Sequence, residues 1–471
     1  MIRYPRDLHG YGSAPPDPCW PGNARIAVQF VLNYEEGGER CLLHGDDASE
    51  AFLSEIPAAQ SWPGERHWNM ESVYDYGARA GFWRLHRLFT EFDVPVTVFG
   101  VATALARSPA QVAAMRDAHW EIACHGLKWI EHRSMAREAE LQAMEAAVAL
   151  HTQVVGEPPA GWYTGRCSMR TIELACELGS FEYLSDSYDD DLPHWLEHGD
   201  RHQLIIPYTL DANDMRFAPG SGFVTSSQFG DYLCDAFDVL YAEGVSGAPK
   251  LLSVGLHCRL LGRPGRAGAL ARFLDHARRH EGVWFARRID VARHWAATHP
   301  PVSRLRPSRL EKPEFLELFG AVFEGGSWIA EQTFEGELGP AQDTAIGLHA
   351  AMVRVFRAAN ASDRRDILNA HPDLAGQLAR RRMLSSDSTR EQADAGLAAL
   401  TDEEFARFER ANASYRERHG FPFIIAARDH DKDGILAAIA ERTNRTTSDE
   451  FAEACVQVER IAELRLAERL P

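Results

Sequence analysis

Hydrophobic and polar positions alternate along the first two thirds of the chain in a repeating strand-then-helix order. The stretch ARIAVQFVLNY (24–34) is almost continuously apolar and rich in β-branched and aromatic residues, which predicts a buried strand running into the polar, glycine-containing loop EEGGE (35–39). GFWRLHRLFTEF (81–92) has apolar residues at helical spacing and is followed at once by VPVTVFGVA (94–102), a second strand. A helix around 108–118 leads into WEIACHG (120–126), a third strand that ends in a histidine. An amphipathic helix at 137–156 follows, and LLSVGLHCRL (251–260) is a further apolar strand that again delivers a histidine. Repeated strand–helix units imply a parallel sheet with helical crossovers, with chemistry expected at the carboxyl ends of its strands. The first strand is not followed by GxGxxG, so an α/β fold of distorted or incomplete (β/α) barrel type fits better than a dinucleotide-binding sheet.

Near residue 300 the texture changes. HPPVSRLRPSRLEKPEF (299–315) holds four prolines among basic residues, which marks a linker, taken as 301–311. Beyond it, 312–471 reads as an all-α helical domain. Thr401–Glu404 and Ser388–Glu391 have capping-box spacing, and FAEACVQVERIAELRLAERL (451–470) is one long amphipathic helix. The expected organisation is therefore an α/β domain over 1–300, the linker, and a helical domain over 312–471.

Composition narrows the partners. The 471 residues are 45% hydrophobic with 11 Trp and 23 Phe, enough for more than one core. A formal net charge of −18 repels phosphate backbones, so nucleic acid is not an expected partner. The eight cysteines lack CxxC spacing and read as reduced thiols, consistent with a cytoplasmic protein. Neither a signal peptide nor an apolar run long enough for a membrane span is apparent. Small molecules are the partners this leaves.

Seven ordered blocks carry a resemblance: YPRDLHGYG (4–12), LNYEEGGE (32–39), EIACHGLKWIEH (121–132), GWYTGRCS (161–168), SDSYDDDLPHW (185–195), YTLDANDMRF (208–217) and LHCRLLGRPGR (256–266). Together they resemble the allantoinase branch of the polysaccharide-deacetylase-like family across roughly residues 1–300. Metal-dependent deacetylases of that fold usually carry paired aspartates on the first loop and a His-x3-His pair on the second. Here the first loop has Glu35 and Glu36, Trp129 stands four residues after His125, and the next histidine is His132. The resemblance therefore implies a hydrolase working without a metal or other cofactor. Opening the hydantoin ring of allantoin is amide hydrolysis, which needs a base for water, an acid for the leaving nitrogen and donors for an oxyanion. Glu36, His125 and His257 are the acid–base candidates, with the choice of base open. Arg166 and Arg259 are expected to bind carbonyls or the oxyanion. Asp186, Asn213 and Asp214 are expected to meet ureido and ring N–H groups. Trp129 and Trp162 are either core or an aromatic wall for a flat ring, His132 is expected at the surface, and Asp189–Asp191 as a solvated or capping loop.

In the helical domain, LNAHPDLAG (368–376), SSDSTREQADAGL (385–397), NASYRERHGFPFIIAAR (412–428) and RIAELRL (460–466) resemble the OHCU decarboxylase family, whose substrate is 2-oxo-4-hydroxy-4-carboxy-5-ureidoimidazoline (OHCU). The resemblance implies cofactor-free decarboxylation, with His371 as principal acid–base residue and Glu391 assisting. Gln392 and Ser388 would bind the ureido group or ring edge, Arg465 a carboxylate or ureido oxygen, and the backbone of Phe423 and Ile424 the imidazoline. Ser388 and Glu391 would also be satisfied as a capping box alone. ERTNRTTSDEF (441–451) departs from the family pattern, with Thr443 where a leucine is usual, so Arg442 is not placed among the binding residues.

The two resemblances imply consecutive steps, from OHCU to (S)-allantoin and from allantoin to allantoate, in a homo-oligomeric enzyme. The alternatives are a metal-dependent N-deacetylase or another cyclic-amide hydrolase in the first domain, and a non-catalytic docking module in the second. Whether the stretch 41–70 forms a lid or an interface is open at this level.

Overall fold

The computed structural model describes residues 6–199, 201–301, 305–336, 338–375, 397 and 400–470. The chain divides into two compact units, Met1–Pro301 and Val302–Pro471.

The first unit is built on β1 (Ile26–Tyr34), every residue of which is buried. One edge of β1 pairs in parallel along its length with β8 (Lys250–His257). The other edge is shared: β9 (Val283–Phe285) takes Ile26–Val28, and β2 (Thr97–Gly100) takes Val31–Tyr34. From β2 the sheet continues through β3 (Glu121–Cys124), β4 (Gly161–Trp162), β5 (Tyr183–Leu184), β7 (Arg201–Ile205) and β6 (His194–His198). All ladders are parallel except the β6–β7 hairpin, and among the described residues no ladder joins β6 back to β8. The expected distorted, incomplete (β/α) barrel is what forms. The two-residue strands β4 and β5 and the hairpin were not visible in the hydrophobic pattern.

Side-chain alternation along β1 explains the two-sided burial. Ile26, Val28, Phe30 and Leu32 pack outward in one apolar layer with Phe89, Phe237 and Phe273 of the surrounding helices. Ala27 and Val31 point into the barrel with Phe99, Tyr163 and Tyr208. Burying each such large apolar side chain contributes roughly 1.5–3 kcal/mol. Those helices are α1 (Trp68–Tyr76), α2 (Phe82–Glu91), α3 (Ala102–Arg107), α4 (Pro109–Asp117), α5 (Arg137–Val155), α6 (Thr171–Leu178), α7 (Ser226–Val245), α8 (Pro264–Ala277) and α9 (Arg288–Thr298). A π-turn, Gly77–Gly81, joins α1 to α2.

The register aligns the strand ends. Asn33 of β1 pairs with His257, Tyr34 with Gly100, and Gly100 with Cys124. Glu35, His125 and His257 therefore emerge at one level of the sheet, on three different strands.

The second unit is helical throughout its described residues: α10 (Lys312–Phe319), α11 (Ser327–Glu335), α12 (Ala345–Ala358), α13 (Ala361–Ala370), α14 (Asp402–His419), α15 (Lys432–Arg442) and α16 (Thr447–Ala467), with short 3-10 turns between. Along α16 the buried Ala454, Val458, Ile461, Ala462 and Leu466 form the apolar stripe expected of an amphipathic helix. Leu305 and Leu310 pack against the same core, and Ser308 bonds the Asp343 carboxylate through both its N–H (2.9 Å) and its hydroxyl (2.8 Å). Part of the segment expected as linker thus belongs structurally to the helical unit.

Candidate functional site

Glu35 is the hub of a buried cluster at the strand ends of the first unit. Its Oε1 lies 3.4 Å from His125 Nε2 and 3.5 Å from His257 Nε2, and its Oε2 lies 2.7 Å from the Arg259 guanidinium. Each histidine is braced from behind. His125 Nδ1 donates to the Tyr163 carbonyl at 2.9 Å, and His257 Nδ1 donates to Asp214 at 2.6 Å. Both ring orientations are thereby fixed, with Nε2 turned to Glu35.

Glu36 sits beside the hub. Its Oε2 accepts the backbone N–H of Glu35 at 3.0 Å, while its Oε1 is buried without a hydrogen-bond partner, 4.0 Å from Arg259. The π-turn glycines make this possible: a Cβ on Gly77 would stand 2.3 Å from Glu36 Oε1, and one on Gly81 2.0 Å from the Cys258 carbonyl. Arg259 is fully buried, its guanidinium 4.5 Å from the Tyr74 ring centroid and 5.3 Å from that of Trp129. Apart from the 2.7 Å ion pair with Glu35, its guanidinium nitrogens have no hydrogen-bond partner.

These environments push the two adjacent carboxyls apart. Burial alone would raise Glu35, but Arg259, His257 and the approach of His125 outweigh it and hold Glu35 well below the ordinary carboxylate range. Glu36 is pushed up to about 7 by burial and the charge of Glu35, with Arg259 opposing. Burial works against the charged form of His257, yet Asp214 and Glu35 prevail and raise it to about 9. At neutral pH the cluster thus holds an ionised carboxylate, an imidazolium, a guanidinium and a carboxyl poised to titrate.

A wall closes one side. Trp129 lies between Arg166 (5.1 Å) and Arg259 (5.3 Å), and Phe52 packs on it at 5.6 Å. Arg166 also rests over Phe52 at 4.7 Å and reaches Glu50 at 3.5 Å. The segment around Glu50 and Phe52 therefore covers the Trp129–Arg166 face, the position left open in the sequence. Trp162 packs in a core layer instead.

The other expected residues take supporting places. Asp186 accepts the N–H groups of Thr164 and Gly165, both at 2.7 Å, and shapes the turn that presents Tyr163 and Arg166; burial, opposed by those two N–H groups, raises it to about 6. Asn213 spends its side chain on the Met215 N–H (2.9 Å) and the Thr209 carbonyl (3.1 Å). Asp214 holds His257, so both act here through other residues. His132, expected at the surface, is only 3% exposed: its Nδ1 lies 3.4 Å from Glu140, which also accepts from Ser168 and Thr171. A buried carboxylate needs such partners, and an isolated histidine in the sequence gives no sign of one. Asp189–Asp191 does form a capping loop, in which Asp189 accepts from Ser187 and Asp190 from the Leu192 N–H.

The cluster does not suit a divalent ion. A guanidinium already sits on Glu35, and an indole stands where a second imidazole would follow His125. Among the described residues, the one group of three metal-ligating side chains with donor atoms all within 4.8 Å of one another lies elsewhere.

In the second unit, His371 ends α13 and is 8% exposed; its Nδ1 donates to the Ile367 carbonyl at 2.8 Å, leaving Nε2 as the basic nitrogen of the neutral ring. Arg465 reaches the Ala321 and Val322 carbonyls (both 3.3 Å) and Glu324 (3.1 Å). That turn meets the α13 end, since a Cβ on Gly325 would stand 2.5 Å from Ala370 Cβ, so Arg465 and His371 flank one short loop. Phe423 and Ile424 are buried, and the Ile424 carbonyl accepts from Arg442 at 3.0 Å. Arg442 also pairs with Glu450 at 2.6 Å, and Glu450 accepts from Tyr415. Ser388, Glu391 and Gln392 lie outside the described residues.

Each unit is similar to known proteins. Residues 69–179 match the polysaccharide deacetylase family and residues 308–467 the OHCU decarboxylase family. A Schizosaccharomyces pombe protein described as a polysaccharide deacetylase is 41% identical over 63% of this chain and 98% of its own length. An OHCU decarboxylase of Haloferax volcanii is 38% identical over 34% of this chain and 92% of its own. The chain joins a polysaccharide-deacetylase-family unit to an OHCU-decarboxylase-family unit. Within the first family, the crystal structure of Puue allantoinase is 56% identical, with a TM-score of 0.63 over 64% of this chain and all of that one.

Set in the deacetylase-family unit, Glu35, Tyr163 and Asp214 are the residues whose part the sequence did not reveal. Glu35 was visible as the neighbour of Glu36, but consecutive residues on a turn diverge in direction, and only the fold decides which one meets both histidines. In the decarboxylase-family unit, Arg442, which precedes the departure at Thr443, pairs with Glu450 and the Ile424 carbonyl.

Proposed function

We propose that the first unit hydrolyses the hydantoin ring of allantoin to allantoate without a metal ion, and that the second decarboxylates OHCU to (S)-allantoin. The observation that carries the hydrolase reading is Arg259, a fully buried guanidinium that pairs with Glu35 through one nitrogen and keeps Nε and Nη2 without a hydrogen-bond partner beside the Glu35–Glu36 pair. Glu36, poised near neutrality with a bare carboxyl oxygen, takes a proton from water. The resulting hydroxide adds to the ring carbonyl, whose oxygen gathers negative charge against Arg259. The His257 imidazolium then gives its proton to the ring nitrogen as the C–N bond breaks. Glu35, too weak a base for this, holds both histidines and the guanidinium in place. His125 completes the acid–base set opposite His257, and the flat ring and its ureido arm are assigned to Trp129 and Arg166, beneath the Glu50–Phe52 segment that covers them.

In the second unit, loss of CO2 leaves an electron pair on a ring carbon that conjugation stabilises, and the protein supplies orientation and a proton. His371 is assigned that proton, with Glu391 assisting. Arg465 is assigned to a substrate oxygen, and Ser388, Gln392 and the Phe423–Ile424 backbone to the remaining contacts; the family match over 308–467 supports these roles. Among the described residues no helix is long and apolar enough to cross a membrane. We place the enzyme in the cytoplasm as a homo-oligomer, a reading its eight free cysteines support as to compartment.

The deciding experiment is allantoin hydrolysis by the purified protein before and after exhaustive chelation, with metal content determined on the same samples. Hydrolysis that persists at negligible metal supports the mechanism. Hydrolysis absent, or restored only by added divalent ions, sinks it and makes a metal-dependent N-deacetylase the leading account.

A further inference from the structure

On the outer side of the first unit, α7 and the end of α8 bring together three side chains that the hydrolytic chemistry does not use. His276 Nε2 lies 2.6 Å from Asp238 Oδ1, and the His276 and His280 rings lie 5.0 Å apart. One ligand atom from each of Asp238, His276 and His280 falls within 4.8 Å of the others. Two imidazoles, His276 on α8 and His280 in the turn just beyond it, beside a carboxylate on α7, are the N, N, O donors that borderline divalent ions prefer.

The arrangement is braced as a ligand set would be. His280 Nδ1 donates to the His276 carbonyl at 3.1 Å, which fixes the tautomer and leaves Nε2 as a lone-pair nitrogen. Phe237 packs edge-on against both rings, at 5.6 Å and 5.1 Å, and Tyr241 against His280 at 4.9 Å, so neither imidazole swings freely. The side chains of Asp238 and His276 are 52% and 28% exposed, which gives an ion an open approach and room for water to complete its shell.

We propose that Asp238, His276 and His280 form a surface site for a zinc-like divalent ion (Zn2+, Co2+ or Ni2+), separate from the hydrolytic cluster, which clips α7 to α8. Both ligand-bearing elements flank the fold around β8, the strand that delivers His257 and leads to Arg259, so the ion stabilises the hydrolytic unit without entering its chemistry. Metal recovered with the protein would then report this clip and not a catalytic centre.

The test uses untagged full-length protein stripped by chelation and titrated with Co2+, followed by visible absorption, and with Zn2+ by equilibrium dialysis. Expected are about one ion per chain with nitrogen-ligated Co2+ absorption, and a melting temperature raised by about 2 °C or more. His280→Ala and Asp238→Asn should each weaken binding at least about tenfold, on the scale of losing a metal ligand or its partner. Far-ultraviolet circular dichroism of both variants checks that each is folded, and allantoin turnover per folded chain should match the parent. Absence of stoichiometric binding overturns the proposal, as does binding undiminished in the His276→Ala/His280→Ala double variant. Binding abolished instead by Glu35→Gln, in protein that circular dichroism shows to be folded, would overturn it too, by placing the ion in the hydrolytic cluster.

Discussion

Asp214 grips His257 twice: its Oδ1 lies 2.6 Å from the ring Nδ1, and its Oδ2 accepts the backbone N–H of the same residue at 2.8 Å. A second backbone N–H, from Leu261, reaches Oδ2 at 2.9 Å, so the carboxylate is locked from three directions. The imidazolium it supports persists to about pH 9. Glu36 loses its proton near pH 7. Allantoin hydrolysis that needs Glu36 ionised and His257 charged should therefore give a bell-shaped kcat/KM profile, rising near 7 and falling near 9. A rate that keeps climbing above pH 9 would remove His257 from the role of acid.

Asp214→Asn tests the grip itself. An amide oxygen can still accept both backbone N–H groups, so the local fold is preserved, but the charge that favours imidazolium is gone. His257 then loses its proton at a lower pH, and the alkaline limb moves towards neutrality while the acidic limb stays. The same sign governs stability. A raised histidine pKa contributes stability that is fully present below about 6.5, the unfolded value, and is lost as pH rises through about 9. Stability curves of parent and variant should therefore diverge most at mildly acid pH and converge above 9; parallel curves would contradict the assignment.

Glu35 and Glu36 should fail differently. Glu36→Gln is isosteric and removes the base, so kcat should fall by roughly 10²–10⁴ with little change in stability. Glu35→Gln leaves Arg259 and His257 buried without their shared counter-ion and should destabilise the unit by about 3–5 kcal/mol, read by urea denaturation. The depressed pKa of Glu35 contributes stability above about 4.3, lost as pH falls further. The parent should therefore lose more stability than Glu35→Gln on acidification below that point. Equal kinetic and stability effects for the two variants would erase the distinction between hub and base.

The contrast between these neighbours shows where the sequence is informative. Strands β1, β2, β3 and β8 were legible because each is a dense apolar run, and the histidines at two of their ends were legible as polar residues placed after them. Strands β4 and β5 span two residues each and have no period to detect. Trp129 was readable as the departure from a histidine pair and as either core or an aromatic wall, but its place between two guanidiniums needed the third dimension. Asn213 and Asp214 looked alike as polar loop residues. Which one caps a turn and which one grips a histidine depends on β8 lying alongside, a contact more than forty residues away in sequence. The burial of His132 depends in the same way on Glu140, Ser168 and Thr171 arriving from α5 and α6.

Arg442 is a structural anchor in the second unit, and its loss should read as such. Its guanidinium joins α15 to α16 through Glu450 and ties down the Ile424 carbonyl. Arg442→Met leaves a buried carboxylate with only Tyr415 to satisfy it, which should cost about 3–5 kcal/mol in chemical denaturation of the helical unit. Decarboxylation per folded chain, with KM measured on OHCU, should stay within about twofold of the parent. A large rise in KM at unchanged stability would instead make Arg442 a substrate ligand.

Each unit has its own hydrophobic core, and the acid–base residues proposed for the two reactions lie in different units, so the two activities should be separable by single substitutions. His371→Ala should abolish decarboxylation of OHCU, because it removes the imidazole to which the proton transfer is assigned, while leaving allantoin hydrolysis and oligomer size unchanged. His257→Ala should do the reverse. The informative assay supplies freshly generated OHCU and follows (S)-allantoin and allantoate together. Parent protein should yield allantoate, His257→Ala should accumulate (S)-allantoin, and His371→Ala should form allantoate only from added allantoin. If His371→Ala kept stereospecific formation of (S)-allantoin, the helical unit would be a docking module and the decarboxylase reading would fall. If it lost hydrolysis as well, the units would be coupled in a way their separate cores do not explain.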